Sequence, residues 1–134
     1  MKLFLAICLG LFSITCNTLY SQNQDFDESK KRGSEIYKDF CITCHMGNGE
    51  GLAGAFPPLA KSDFLINNRT KSIHAIKYGL KGEVVVNGTK YNSVMASLGL
   101  SDEEVADVMN YITTSWGNKN EKMVTVKEVL EVKK

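Results

Sequence analysis

The strongest constraint in this sequence is the run Phe40-Cys41-Ile42-Thr43-Cys44-His45. Two cysteines separated by two residues must share one tight turn of backbone, and the histidine follows at once. Such a pair serves redox-active dithiols, zinc sites and cofactor attachment alike. A thioredoxin-type pair follows a strand in a β-α-β pattern, whereas a helical pattern leads into Cys41. A closed zinc site needs four ligands, and beyond the leader described below the chain adds only His45 and His74 to its two cysteines.

The other two cysteines, Cys8 and Cys16, fall in a segment with the character of a leader. Lys2 supplies a positive start, Leu3 to Ile14 is apolar, and polar residues begin at Thr15. That run is shorter than the roughly 20 apolar residues a bilayer crossing needs, so 1–21 reads as a cleaved export signal rather than a transmembrane span. Ser21 is the best small residue before a cut, with Gln22 as mature start. Acylation of Cys16 is the alternative and would give a lipid anchor. In an exported chain two neighbouring thiols are oxidised unless used otherwise. The 16 basic residues, Lys2 among them, balance 15 acidic ones, which leaves no electrostatic case for nucleic acid or an anionic membrane surface.

Beyond a polar, flexible arm at 22–28, residues 29–134 read as one domain with a short C-terminal extension at 117–134. Ser29 to Phe40 has Gly33, Ile36, Tyr37 and Phe40 on one helical face. Gly33 at mid-helix costs about 1 kcal/mol relative to Ala and points to close approach by another helix. Gly47, Gly49, Gly51 and Gly54 make a tight loop able to wrap something bulky. Phe56-Pro57-Pro58-Leu59 is an extended, rigid turn, and Ser62 or Asp63 caps a short helical turn. Ser72 to Leu80 is a helix stopped by Gly79 or Gly82. Asn87-Gly88 joins Glu83–Val86 to Thr89–Tyr91 as a hairpin. Ser101 and Glu104 form a capping box for a helix striped by Val105, Val108, Met109 and Ile112 and fading near Trp116-Gly117, and Thr125 and Glu128 offer a second box.

Cys-x-x-Cys-His is the signature of c-type haem attachment. One turn of helix presents both thiols to one edge of a porphyrin, and the next residue aims an imidazole at the iron. A six-coordinate iron needs a ligand from the far side, for which a soft thioether suits. Met46 adjoins His45, Met109 belongs to a core stripe and Met123 lies in the tail; Met95, in the loop between hairpin and capped helix, is the remaining methionine. His74, beside Ile73 and Ile76, is the other candidate, with a hydrogen-bonded structural role as its plainer reading. A ligating imidazole gives its second ring proton to an acceptor, and the Pro57 or Pro58 carbonyl is at loop distance; these prolines equally serve simply to shape the loop.

From about Lys31 to Trp116 the chain resembles the class I c-type cytochromes, small exported monohaem electron carriers. The resemblance rests on Cys41-Ile42-Thr43-Cys44-His45, on Gly33 with Tyr37, on Phe56-Pro57-Pro58-Leu59, and on Leu100 to Ile112, which is similar to the family's last helix. In loop style, Val84 to Trp116 is most similar to cytochrome domains partnered with nitrite reductases and periplasmic alcohol or aldehyde dehydrogenases. The resemblance implies an all-α cytochrome c fold, about four to five short helices around one covalent haem with a small hairpin before the distal methionine loop. It implies thioether bonds at Cys41 and Cys44, His45 and Met95 as iron ligands, a Pro57 or Pro58 carbonyl behind His45, and Gly33 and Tyr37 packed on Val108 and Tyr111. The function implied is one-electron transfer in the periplasm or another extracytoplasmic space, between redox partner proteins. Alternatives are a cytochrome subunit of a dehydrogenase or reductase complex, a haem-based ligand binder or sensor, and a haem-free thiol redox protein. Ala96 stands where family members often carry proline after the ligand methionine, so a looser distal loop is expected.

Overall fold

A computed structural model describes residues 25–134. The leader, its cleavage site and Cys16 lie outside the described residues. Helix α1 covers 25–40, so residues 25–28 extend a helix expected to begin at Ser29 and are not part of an arm. Lys30 pairs with Asp27 at 2.6 Å and stands 4.9 Å from the Phe26 ring centroid, contacts at helical spacing that favour this early turn. One turn of helix, α2 (Ile42–His45), follows directly; then come α3 (Asp63–Asn67), α4 (Arg69–Tyr78), strands β1 (Val84–Val86) and β2 (Thr89–Tyr91), α5 (Asp102–Ile112) and α6 (Val126–Glu131). The described residues are mostly helical with one two-stranded antiparallel hairpin.

Helix α5 is the spine. Its Ser101–Glu104 capping box is complete, the serine hydroxyl accepting from the Glu104 N–H and the glutamate from the Ser101 N–H. Val105, Val108, Met109 and Ile112 are buried along its length, so Met109 is core. Helix α1 crosses it at Gly33, where a Cβ would overlap the Asp107 carbonyl and come within 2.9 Å of the Tyr111 Cβ. Only glycine permits that approach, and its closest neighbour is Asp107 rather than Val108. Tyr37, one turn on, packs on Tyr111 and Trp116 with ring centroids 5.6 and 4.9 Å away.

Phe40 departs from expectation: it is 48% exposed, and the buried face of α1 is Ser29, Gly33 and Tyr37. A polar residue, Ser29, can take a place on that face because Asp107 supplies its partner. The Ser29 hydroxyl donates to Asp107 at 2.6 Å, Arg32 forms a forked pair with the same carboxylate, and Asn110 donates to Ser29 at 2.8 Å. Asn110 also brackets Val124, its amide donating to the Val124 carbonyl and its oxygen accepting from the Val124 N–H. The C-terminal extension is thereby held on α5.

Helix α6 then packs against α5, and side chains of α4 reach across to it. Thr125 caps it, accepting from the Glu128 N–H, but the Glu128 carboxylate does not close a box: it pairs with Arg69 at 2.8 Å. A forked guanidinium outcompetes a single N–H for that carboxylate. Lys77 and Tyr78 donate to the carbonyls of Val129 and Val132. Helix α4 begins at Arg69, earlier than Ser72, and ends at Gly79. Ser62, not Asp63, caps α3. In the hairpin, Val84 faces Tyr91 and Val86 faces Thr89, and both Asn87 and Gly88 have positive φ, as a primed two-residue turn requires. Its tip is clamped to α3: the Asn87 N–H donates to the Asp63 carboxylate and the Asp63 N–H to the Asn87 side chain.

Candidate functional site

The His45 N–H donates to the Cys41 carbonyl at 2.9 Å, so these two residues stand one helical turn apart on one face of α2, with Cys44 beside them. Both Cys41 and His45 line an apolar cleft of about 650 Å³ that α4, α5 and the hairpin close from the other sides. An adjoining cavity of about 460 Å³ takes in Cys44. His45, Pro57, Leu80, Val84 and Met95 line both. Together they form one concave, mostly apolar site, which is the character of cofactor sites.

Nδ1 of His45 lies 3.0 Å from the Pro57 carbonyl. A carbonyl only accepts, so Nδ1 carries the ring proton and Nε2 keeps its lone pair for a metal. Burial pushes the imidazole below its usual range, which favours this neutral form, and the Pro57 hydrogen bond opposes the shift only in part. Pro58 lines the cleft without that contact. Burial, then the neighbouring Cys44, pushes the Cys41 thiol up to about 11. Dithiol redox sites work by lowering that value, so the environment is wrong for a thioredoxin-like pair.

Of Met46, Met95, Met109 and Met123, only Met95 lines the cleft. Met46 ends α2, where its carbonyl accepts from the Tyr37 hydroxyl at 2.6 Å. His74 meets Tyr78 edge-on, with ring centroids 5.1 Å apart, and lines neither cavity. Met95 is held by its backbone, which exchanges two hydrogen bonds with Leu80 at 2.8 and 2.9 Å. Gly79 makes this possible, having φ of +87° and leaving a space in which a Cβ would stand 2.7 Å from the Met95 carbonyl.

The glycines after Met46 do not line the cavities. Their loop is braced from behind instead: the Gly49 carbonyl accepts from the N–H groups of Leu59 and Ala60 at 2.7 and 2.8 Å, and Gly51 donates to the His45 carbonyl at 3.0 Å. These bonds carry the chain from His45 to the proline segment that supports it. Sequence reasoning missed Ser62 and Ser72, both lining the main cleft. Ser72 is 4% exposed and its hydroxyl has no protein partner. A buried hydroxyl in that state is costly unless an occupant accepts from it. A haem meets the requirement, being an apolar macrocycle with peripheral acceptors, and the thiol and imidazole donors at one wall match covalent attachment and iron ligation. Among the described residues, no group of three or more His, Cys, Asp or Glu forms a separate metal site.

Residues 30–116 match the family model described as cytochrome c. Among curated proteins, cytochrome c-552 of Thermus thermophilus is 43% identical over 110 residues, covering 75% of this chain and 83% of that protein. The cytochrome c subunit of a quinone alcohol dehydrogenase from Gluconacetobacter polyoxogenes is 33% identical over 123 residues, 89% of this chain but 25% of that subunit. The cytochrome c subunit of gluconate 2-dehydrogenase from Pantoea cypripedii is 33% identical over 113 residues, again 25% of that subunit.

Proposed function

The chain belongs to the cytochrome c family of electron-transfer proteins, which bind a covalent c-type haem iron, and from that premise we propose that it is an extracytoplasmic one-electron carrier with His45 and Met95 as axial ligands. Support for the ligand pair comes from one observation: His45 and Met95 alone among the histidines and methionines of the described residues line the same apolar cleft. Cys41 and Cys44 provide the covalent attachment. When bound, the haem supplies the ferric–ferrous couple.

The chain's own residues set the conditions for that couple. The Pro57 carbonyl fixes the His45 ring and makes its free nitrogen a better donor. Ile76, Leu80, Val86 and Val108 exclude water from the cleft, and a thioether at the distal position favours the reduced state. Residues 1–21 serve as the export signal in this reading, and no helix among the described residues is long and apolar enough to cross a membrane.

The test is an absorption spectrum of protein matured in an export-competent host, oxidised and reduced. Sharp c-type bands are expected, with a weak near-infrared band of methionine-to-ferric-iron ligation that disappears in Met95→Ala. A band that survives that substitution refutes the ligand assignment. Similarity to the cytochrome subunits of alcohol and gluconate dehydrogenases favours a second reading, in which the chain serves as the cytochrome subunit of a dehydrogenase. Co-purification with a larger subunit under mild conditions separates it from a free carrier.

A further inference from the structure

Met95 lies at the centre of Ser93-Val94-Met95-Ala96-Ser97. Met95 packs against the core, but packing does little to hold its neighbours: Val94 is 68% exposed, and Ala96 and Ser97 are exposed as well. No proline locks the backbone within it. What holds the stretch is a set of hydrogen bonds to two separate segments, the loop at Ala55 and the chain from Lys77 to Leu80 at the end of α4. Ser93 donates its hydroxyl to the Ala55 carbonyl, Met95 exchanges two backbone bonds with Leu80, and Ser97 donates to the Lys77 carbonyl at 2.9 Å.

The two serine acceptors are informative. Lys77 is in the last turn of α4, where carbonyls lack an intrahelical partner, so Ser97 satisfies a group the helix itself cannot. Ala55 is two residues before Pro57, whose carbonyl faces His45. Ser93 therefore joins the segment behind one side of the cleft to the segment carrying Met95 on the other. We propose that Ser93 and Ser97 are positioning residues that strap the Met95 thioether in place, one on the His45 side and one on α4. The inference rests on Met95 being the distal ligand. With both straps made, the loop that Ala96 leaves unlocked is held at both ends, and moving Met95 together with its loop breaks at least one of them.

The experiment uses haem-loaded ferric protein and titrates it with imidazole, which competes with the thioether, while following the near-infrared band. Ser93→Ala and Ser97→Ala each raise the apparent imidazole affinity about threefold to tenfold, the effect of one net hydrogen bond, and the double variant raises it further. Ser97→Thr, which keeps the hydroxyl, binds imidazole as the parent does. Ser101→Ala, which removes a helix cap in the next element, lowers the thermal midpoint without tightening imidazole binding. Unchanged imidazole affinity in the double variant, with the band present in the parent and lost in Met95→Ala, overturns the straps and leaves the ligand assignment standing. Equal tightening in Ser101→Ala also overturns them, since it makes the effect one of general stability. A band that survives Met95→Ala overturns both.

Discussion

Replacing Asn110 by alanine tests how the C-terminal extension is held. The side chain is fully buried on α5 and makes three hydrogen bonds, two of them to both backbone polar groups of Val124, at 2.9 and 2.7 Å. Asn110→Ala leaves that N–H and that carbonyl buried, because Val124 is itself fully buried. Ser29 still donates to Asp107 and loses only a donor. At about 1–3 kcal/mol for each stranded backbone group, the expected loss is about 2–6 kcal/mol. That is a large share of the roughly 5–15 kcal/mol by which domains of this size are stable. A loss of about 4 kcal/mol corresponds to a thermal midpoint lowered by about 20 °C. Urea unfolding of the holoprotein reads the change, with Trp116, the only tryptophan, as a fluorescent probe. Limited proteolysis supplies a second readout, with cleavage expected first in 117–134. A loss under about 1 kcal/mol, with the extension still protected, refutes the argument and means that Val124 finds other partners at little cost.

Two further substitutions test other parts of the framework. Arg69 hydrogen-bonds the Glu128 carboxylate and holds it below its ordinary value of 4.5, so the pair stabilises the fold above that pH and the contribution is lost as pH falls through the lower folded value. Parent and Glu128→Gln should therefore differ in urea midpoint at pH 7 and converge on acidification, and a constant difference down to pH 3 contradicts the assignment. Gly79→Ala forces a side chain to φ of +87° and against the Met95 carbonyl, at a cost of about 1–3 kcal/mol. Both the urea midpoint and the near-infrared band should suffer, and a variant normal in both removes Gly79 from the account of the site.

Local chemistry made much of this molecule readable in advance. Cys41, Cys44 and His45 need only one turn of helix to come together, and that turn is α2. The Ser101–Glu104 box and the Asn87-Gly88 turn are likewise complete within four residues, and the structure has both. The sequence is silent or misleading where a partner is distant along the chain. Nothing local marks Ser29, Asp107 and Asn110 as partners, and they meet only where α1 and α5 cross. The local pattern pairs Glu128 with its neighbour Thr125, whereas its strongest partner is Arg69. Of the glycines after Met46, Gly49 and Gly51 do permit close approach, but what approaches is the Trp116 ring and the backbone of Phe56 and Pro57, and Gly47 and Gly54 have open space around them. The two serines about Met95 carry no local motif, and their acceptors, Ala55 and Lys77, become apparent only once the cleft is closed.

The hairpin also fixes a length. Its tip is tied to Asp63 through Asn87, and the segment leading into and out of it is tied where Leu80 meets Met95. Val84 and Val86 line the cleft between those points while Val85, 47% exposed, looks outward. Adding or removing one residue in β1 would exchange these faces, turning the cleft-lining valines to solvent, because side chains alternate along a strand. Residues 80–95 thus act as a ruler between two fixed marks. A viable change in their number comes in pairs, or comes with a bulge that restores the count.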